Sequence, residues 1–254
     1  MAHVDCKGEV IYDLYCGIGY YSVPLLYYGG ARRIYAFEWN PNSVAAMKCN
    51  FNYQNIDENR VVIIEGDNRV NVPMLEMCHH DGDLLGPCPA TSGVTNARAR
   101  KHSLARAYKH YNNSTIPLLQ KESPPEGLPR ADRVMLGLLP SSKDGWRLAV
   151  EVLKLSGGIL HVHENIHERL MDKTCTGFPV ARDVPTADLT EEDGYFPDFL
   201  VKRFEFLFAE HDLKLKLALP PMKVSVVHME VVKSYAPRVF HVVVDLVCRR
   251  IHEV

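Results

Sequence analysis

Val10-Ile11-Tyr12-Asp13-Leu14-Tyr15-Cys16-Gly17-Ile18-Gly19-Tyr20 is an apolar run that ends in an aspartate, turns through two glycines and re-enters apolar sequence. A buried parallel strand handing over to a helix has this form, with the connecting backbone left open to a ligand. Glycine at 17 and 19 permits dihedrals closed to other residues and lets a flat or charged molecule approach the main chain. By itself the D-x-x-x-G-x-G pattern also fits an ordinary strand-to-helix turn. The flanking sequence decides between the two.

Downstream, residues 20–28 read as a short apolar helix closed by Gly29-Gly30. Arg33-Ile34-Tyr35-Ala36-Phe37-Glu38 is a second strand that again ends in an acid. Asn40 and Pro41 open a helix to about Tyr53. Val61-Val62-Ile63-Ile64-Glu65-Gly66-Asp67 is a third strand with an acid at its end. Strand, helix, strand, helix, strand at this spacing dictates right-handed crossovers and a parallel sheet. Such sheets bind ligands outside the carboxyl ends of their strands, where Asp13, Glu38 and Asp67 all fall.

Residues 72–130 change character: rich in Pro, Gly, Ser, Asn and charge, without a sustained period, they read as a disordered insertion. Within it, 97–111 carries Arg98, Arg100, Lys101, Arg106 and Lys109 without an acid. That composition suits a solvated mobile segment better than an RNA-contacting arm. Order returns at Ala131-Asp132-Arg133-Val134-Met135-Leu136-Gly137-Leu138-Leu139-Pro140-Ser141-Ser142. This is a fourth strand broken by Pro140, with Ser141 or Ser142 placed to cap a helix over 143–155. A fifth strand covers 159–163, residues 171–197 read as loop, and 199–208 as a helix with an aromatic face. Strands at 223–229 and 240–248 flank Lys233-Ser234-Tyr235-Ala236-Pro237 and alternate as an antiparallel pair.

Composition sets the outer bounds. The chain has 254 residues, 46% hydrophobic and 24% charged, the balance of a globular protein. A net charge of −2 gives no global pull towards nucleic acid, so a polyanion site has to be a local patch. No apolar run approaches the roughly 20 residues of a membrane span, and the N-terminus does not read as a signal peptide. Seven scattered cysteines without C-x-x-C indicate neither a disulfide framework nor a zinc site, and a cytosolic protein is expected.

These features add up to an α/β chain, with one domain expected across 1–254 and an insertion at about 72–130. The expected fold is that of the class I S-adenosylmethionine (SAM)-dependent transferases: a Rossmann-like, seven-stranded, mostly parallel sheet with an antiparallel terminal hairpin. The first turn lacks the third glycine of a dinucleotide cradle. Each residue at the strand ends then has a task. Gly17 and Gly19 open the loop, while Asp13 organises it and attracts an ammonium group. Glu38 accepts from both ribose hydroxyls, because a carboxylate offers paired acceptors. Asp67 with Asn68 meets the adenine amine, Trp39 or Tyr15 supplies an apolar wall, and Leu138 and Pro140 stand beside the reacting centre.

Several segments carry a closer resemblance: DLYCGIGYYSVPLL, FEWNP, EGDNR, ADRVMLGLLPSSKDGW, GGILHVHENI and VVKSYAPRVFHVVVDL. They resemble the wybutosine-synthesising tRNA aminocarboxypropyltransferases, relatives of the tRNA guanosine-37 N1-methyltransferases. The resemblance runs along most of 8–248, and LGLLPSS and VKSYAP are its most specific parts. It implies transfer of the 3-amino-3-carboxypropyl group of SAM to carbon 7 of 4-demethylwyosine at position 37 of tRNA(Phe), with the anticodon loop as partner. It maps the family's ribose acid onto Glu38 and its adenine pair onto Asp67 and Asn68. The family also has a tRNA-recognition region and SAM contacts upstream of the first strand. The chain starts too late to include them, and is expected to be the catalytic half of a longer protein or to draw those contacts from a separate protein.

Three readings stay open at this point. Aminocarboxypropyl transfer is favoured by LGLLPSS over methyl transfer to guanosine-37, whose enzymes usually carry a shorter Asn-Leu-Pro turn. A non-catalytic SAM-fold module that binds tRNA or a partner is motivated by the absent upstream segment and by Met135, where the family often has asparagine. No catalytic side chain is named, because the choice of reacting carbon on SAM is a matter of positioning. His161 and His163 share a strand face, but no further ligands accompany them and no metal is expected. Cys16 reads as a space-filler, and Lys233, Tyr235 and Arg238 as loop residues able to face the anticodon.

Overall fold

The computed structural model of the chain describes residues 5–72, 77, 81, 127–171 and 194–251. The expected insertion, its basic stretch 97–111 and most of the 171–197 loop lie outside the described residues. Backbone contacts gather into two units, 1–131 and 132–254.

In the first unit β1 (Val10–Asp13), α1 (Ser22–Tyr27), β2 (Arg33–Glu38), α2 (Pro41–Tyr53), β3 (Val61–Glu65) and a single turn α3 (Asn68–Asn71) alternate as the sequence predicts. The strands pair in the order β3-β2-β1, all parallel, with Asp13 beside Ala36 and Glu38 beside Glu65. All four positions of β1 are buried, which is why it reads as a continuous apolar run. Tyr12 stacks on Tyr35 at 4.7 Å and on Phe37 at 5.8 Å, and its hydroxyl donates to the Pro129 carbonyl at 3.0 Å. Helix α2 starts at Asn40, whose side chain accepts the Asn42 N–H, with Pro41 in its first turn. It buries Val44, Met47 and Phe51 at helical spacing. Helix α1 has no basic residue in its last turn; the buried Arg60 guanidinium instead donates to the carbonyls of Leu26 and Ala31.

In the second unit β4 (Arg133–Leu136), α4 (Trp146–Val152), β5 (Gly157–His167), α5 (Phe196–Leu215), β6 (Met222–Ala236) and β7 (Val239–Arg250) follow in sequence. Their order is β4-β5-β7-β6, with β4 and β5 parallel and β7 antiparallel to both its neighbours. Helices α4 and α5 meet through Trp146 and Phe204, 5.3 Å between ring centres. Arg250 ties the end of β7 to α5: its guanidinium bonds Asp212 and donates to the carbonyls of Leu155 and Pro220.

Several boundaries depart from the sequence reading. The third strand ends at Glu65, which makes Asp67 the N-cap of α3 rather than a strand residue. β5 continues to His167 because β7 pairs with it along its whole length, down to His167 opposite Val239. α5 starts three residues early at Phe196, with Pro197 in its first turn, and runs on to Leu215 through charged residues good at forming helix. The helix expected over 143–155 is a 3₁₀ turn, Lys143–Gly145, followed by α4. Ser142 makes no side-chain cap; its Oγ accepts from Trp146 Nε1 at 3.1 Å. The KSYAP stretch is strand as far as Ala236, so the hairpin turns on Pro237 and Arg238, the latter at φ +62°. Leu139–Pro140 is a cis peptide. Among the described residues no helix is long and apolar enough to cross a membrane.

Candidate functional site

The first unit gathers most of the expected site residues at one end of its sheet. After β1 the chain turns at Cys16, whose N–H donates to the Phe37 carbonyl, so loop and neighbouring strand share a backbone bond. Gly17 has φ +58°, the left-handed region, and a Cβ there would meet nothing within 4 Å. Gly19 has φ +91°, and a Cβ on it would press on Val23 at 3.2 Å. One glycine is required by open conformation, the other by conformation and crowding.

Glu38, the last residue of β2, fixes this loop. Its carboxylate accepts the Gly17 N–H at 2.9 Å through Oε2 and the Asn40 N–H at 2.8 Å through Oε1. Each oxygen keeps a further lone pair, which suits a vicinal diol. Next to it Trp39 is 74% exposed, an unusual cost for an indole unless a flat partner covers it. Tyr15 is half-buried in the loop itself.

Asp13 lies beneath the loop. Its carboxylate is fully buried and accepts from Ser22 Oγ at 2.8 Å. Its role in the structure is therefore to organise the loop from inside. Burial, followed by the charge of Asp13, holds the Cys16 thiol well above its ordinary range. Packed at 3.2 Å from Met47 Sδ, Cys16 is an inert small side chain, as its sequence context suggests.

Past β3, Asp67 accepts the Arg69 N–H at 2.9 Å and receives the Arg69 guanidinium on both oxygens, at 3.1 and 2.7 Å to Oδ2 and 3.0 Å to Oδ1. Its hydrogen bonds from the Arg69 side chain hold its carboxyl below the usual range. A base amine at this position has to share the carboxylate with that guanidinium. Asn68 is buried and donates from Nδ2 to the Leu14 carbonyl at 2.5 Å, which links the ends of β1 and β3.

Sequence reasoning missed Ser22, Arg69 and Asn50, whose Nδ2 donates to the Ile18 carbonyl at 2.8 Å. For Asn50 a signal existed: it is an amide one residue from Phe51, beside the apolar face of α2.

In the second unit Leu138 is 38% exposed and Pro140 exposed, both in the segment that leaves β4. Met135 is buried in β4 opposite His161. His161 Nδ1 pairs with Asp245, and His163 Nδ1 lies 2.9 Å from His241 Nε2. Burial alone would raise the Asp245 carboxyl, but the His161 hydrogen bond and nearby positive groups hold it low. Burial, then the fields of His161 and His241, push the His163 imidazole down to about 3, so it stays neutral. Among the described residues no His, Cys, Asp and Glu group is arranged to hold a metal ion. Lys233 and Tyr235 are exposed on β6, while Arg238 pairs with Glu168 at 3.3 Å.

Comparison with known proteins bears on these features. The TRM5/TYW2 methyltransferase domain family matches residues 1–81. The tRNA wybutosine-synthesizing protein 2/3/4 of Arabidopsis thaliana is 29% identical over 98% of this chain and 17% of its own length. The tRNA wybutosine-synthesizing protein 2 homolog of Danio rerio is 30% identical over 98% of this chain and 48% of its own. The chain thus spans about half the length of the zebrafish relative and a smaller share of the plant one. The crystal structure of M. jannaschii TYW2 in complex with AdoMet superposes with a TM-score of 0.57, at 22% identity, over 98% of this chain and 73% of that one. That likeness gives the fold as the seven-stranded, mostly parallel α/β fold of SAM-dependent transferases of TRM5/TYW2 type, with the antiparallel β5-β7-β6 end. Over 98% of its length the chain is similar to tRNA wybutosine-synthesizing proteins at 29–30% identity, and residues 1–81 of it match the TRM5/TYW2 methyltransferase domain.

Proposed function

We propose that the chain is the catalytic part of a SAM-dependent aminocarboxypropyltransferase. In this reading it alkylates carbon 7 of 4-demethylwyosine at position 37 of tRNA(Phe). The observation that carries the reading is Glu38: a strand-end carboxylate held by Gly17 and Asn40, with acceptor capacity left on both oxygens beside an open glycine loop. These features fit the co-substrate. Glu38 takes the ribose hydroxyls, the exposed Trp39 covers the adenine, and Asp67 accepts its amine in competition with Arg69. Gly17, with no Cβ, admits the ligand against the main chain. Asp13 and Asn68 act one layer below, keeping the loop and the β3 end in place through Ser22 and Leu14. Leu138 and Pro140 keep the cofactor role that the strand-end reading of the sequence gives them.

Bound SAM supplies electrophilic carbons on both its methyl and its aminocarboxypropyl arm, and the arm held in line with the base is the one that reacts. The protein's contribution is therefore orientation. The anticodon loop of tRNA(Phe) is the proposed partner, and Lys233, Tyr235 and Arg238 are exposed groups of the kinds that contact phosphates and bases. Cytosol is the proposed compartment, in keeping with reduced cysteines, outside any disulfide, at 6, 16, 49 and 248.

The second reading, methyl transfer to guanosine-37, is favoured by the TRM5 share of the domain family. One assay separates the two. Hypomodified tRNA(Phe) is incubated with SAM labelled on the methyl group or on the carboxyl group. Carboxyl label in the tRNA, with methylthioadenosine released, is the expected result. Methyl label, with S-adenosylhomocysteine released, assigns the methyltransferase reaction instead. Neither label, even with the upstream domain of a relative added, leaves a non-catalytic module.

A further inference from the structure

Glu164 is the one acidic residue on a β5 face otherwise made by Leu160, Val162 and Ile166, and it is 2% exposed. Its carboxylate reaches the segment leaving β4. Glu164 Oε2 accepts the Ser142 N–H at 3.3 Å, and the neighbouring Ser141 side chain favours the ionised form of the same carboxyl. The backbones of Ser141 and Glu164 form an isolated antiparallel bridge, and the next residue, Asn165, donates its N–H to the Pro140 carbonyl at 2.9 Å. Ser142, fully buried, is then closed from the other side by Trp146 Nε1, while Ser141 Oγ accepts the Lys143 N–H at 3.3 Å. Three consecutive residues, 140–142, are thus held against β5, with the Glu164 carboxyl at the centre of the contacts.

Burying a carboxylate is costly, and a neutral amide or hydroxyl could satisfy one N–H without that cost. A carboxyl group at this point can accept from a backbone N–H and, when it carries its proton, donate as well, so one side chain can hold two polar groups of the turn. The donors here belong to the LGLLPSS segment. We propose that Glu164 is a positioning residue of the transferase: it sets the backbone of the 140–142 turn. It touches no substrate itself. The inference rests on the functional reading above, in which Leu138 and Pro140 serve the cofactor.

The test uses the full chain in the labelled-SAM assay with Glu164→Leu, Glu164→Gln and Ser141→Ala. Misplacing reacting groups by about an ångström costs up to roughly a hundredfold in rate. Glu164→Leu is accordingly expected to lower kcat about 30-fold with less than about a threefold change in KM for tRNA. Glu164→Gln keeps an acceptor oxygen and restores kcat to within about fivefold, a rescue that bulk packing does not explain. Trp146 gives a readout independent of activity. In a Trp39→Phe background it is the sole tryptophan, and Glu164→Leu shifts its emission while Glu164→Gln does not. A folded Glu164→Leu protein with kcat within twofold of wild type overturns the proposal. If that variant does not fold, Ser141→Ala decides: a loss of about fivefold in kcat supports the grip, and an unchanged rate overturns it. Absence of any transfer by the wild-type chain sinks the functional reading, and this inference with it, before variants are compared.

Discussion

The Glu38 carboxylate accepts the Gly17 N–H at 2.9 Å, so the acid that ends β2 holds the glycine loop that follows β1. The same group is the proposed acceptor of the ribose hydroxyls, and its two roles predict different consequences for two substitutions. Glu38→Gln replaces one oxygen with a donor that cannot accept the Gly17 or Asn40 N–H. Hydrogen bonds to a charged group are worth about 1.5–3 kcal/mol, so SAM binding measured by calorimetry falls roughly tenfold to a hundredfold. Glu38→Ala removes both oxygens and also lowers the melting temperature, because both backbone donors lose their acceptor. Wild-type affinity in Glu38→Gln would remove Glu38 from the binding role.

Gly17 and Gly19 separate loop shape from ligand space. A methyl at Gly17 meets no atom of the protein within 4 Å, so Gly17→Ala carries only the left-handed strain of about 1–2 kcal/mol. At Gly19 the φ of +91° lies outside the left-handed helical well, and the added carbon crowds Val23 at 3.2 Å. Gly19→Ala is expected to cost about 2–4 kcal/mol in urea unfolding, the larger of the two losses. Gly17→Ala should nevertheless weaken SAM binding more than its stability loss implies, since its methyl occupies the space assigned to the ligand. Normal affinity in that variant places the ligand elsewhere.

What the sequence made legible was the set of contacts that run along the chain. The β1 run, the glycine turn and the acids at 13, 38 and 67 follow from period, turn chemistry and the rule that such sheets bind at their carboxyl ends. Contacts fixed only by folding stayed hidden. Ser22 is an unremarkable helix residue until the loop folds it over Asp13, and Arg69 is a surface cation until the α3 cap brings it onto Asp67. The length of α5 was masked because its apolar face fades after Phe208 while the helix continues on charged residues. KSYAP reads as a loop because proline and lysine break the strand pattern, yet Lys233 and Tyr235 lie on β6, an edge strand whose outer side tolerates both.

The Asp67–Arg69 pair gives a prediction against intuition. Both side chains are exposed, 40% and 60%, so the ion pair is worth at most about 1 kcal/mol. Arg69→Ala keeps the backbone N–H that Asp67 caps, and the melting temperature should move by no more than about 4 °C. Freed from the guanidinium, Asp67 can give both oxygens to the adenine amine, and SAM is expected to bind up to about threefold tighter. Weaker binding in Arg69→Ala would show that Arg69, not Asp67, contacts the ligand.

Glu164 also predicts how stability depends on pH. Burial raises its carboxyl from 4.5 to about 7 against the opposing pull of Ser141, Ser142 and Lys143. Between those values the folded chain keeps a proton that the unfolded chain has released. The stability linked to Glu164 is therefore complete below pH 4.5 and is lost as pH rises through 7. His163 has the opposite sign. Lowered from 6.5 to about 3, it favours the folded state above 6.5 and loses that contribution as pH falls towards 3. His241, held low by burial and Lys233, works in the same direction as His163. In wild-type protein these trends oppose each other from pH 4.5 to 6.5, so a single melting curve hides them. The difference between Glu164→Gln and wild type isolates the carboxyl. In urea unfolding at pH 5, 6, 7 and 8, the glutamine variant should gain on wild type by about 1 kcal/mol per pH unit up to pH 7 and then hold level. A constant difference across the series would mean that Glu164 is ionised throughout and that the turn binds a permanent charge.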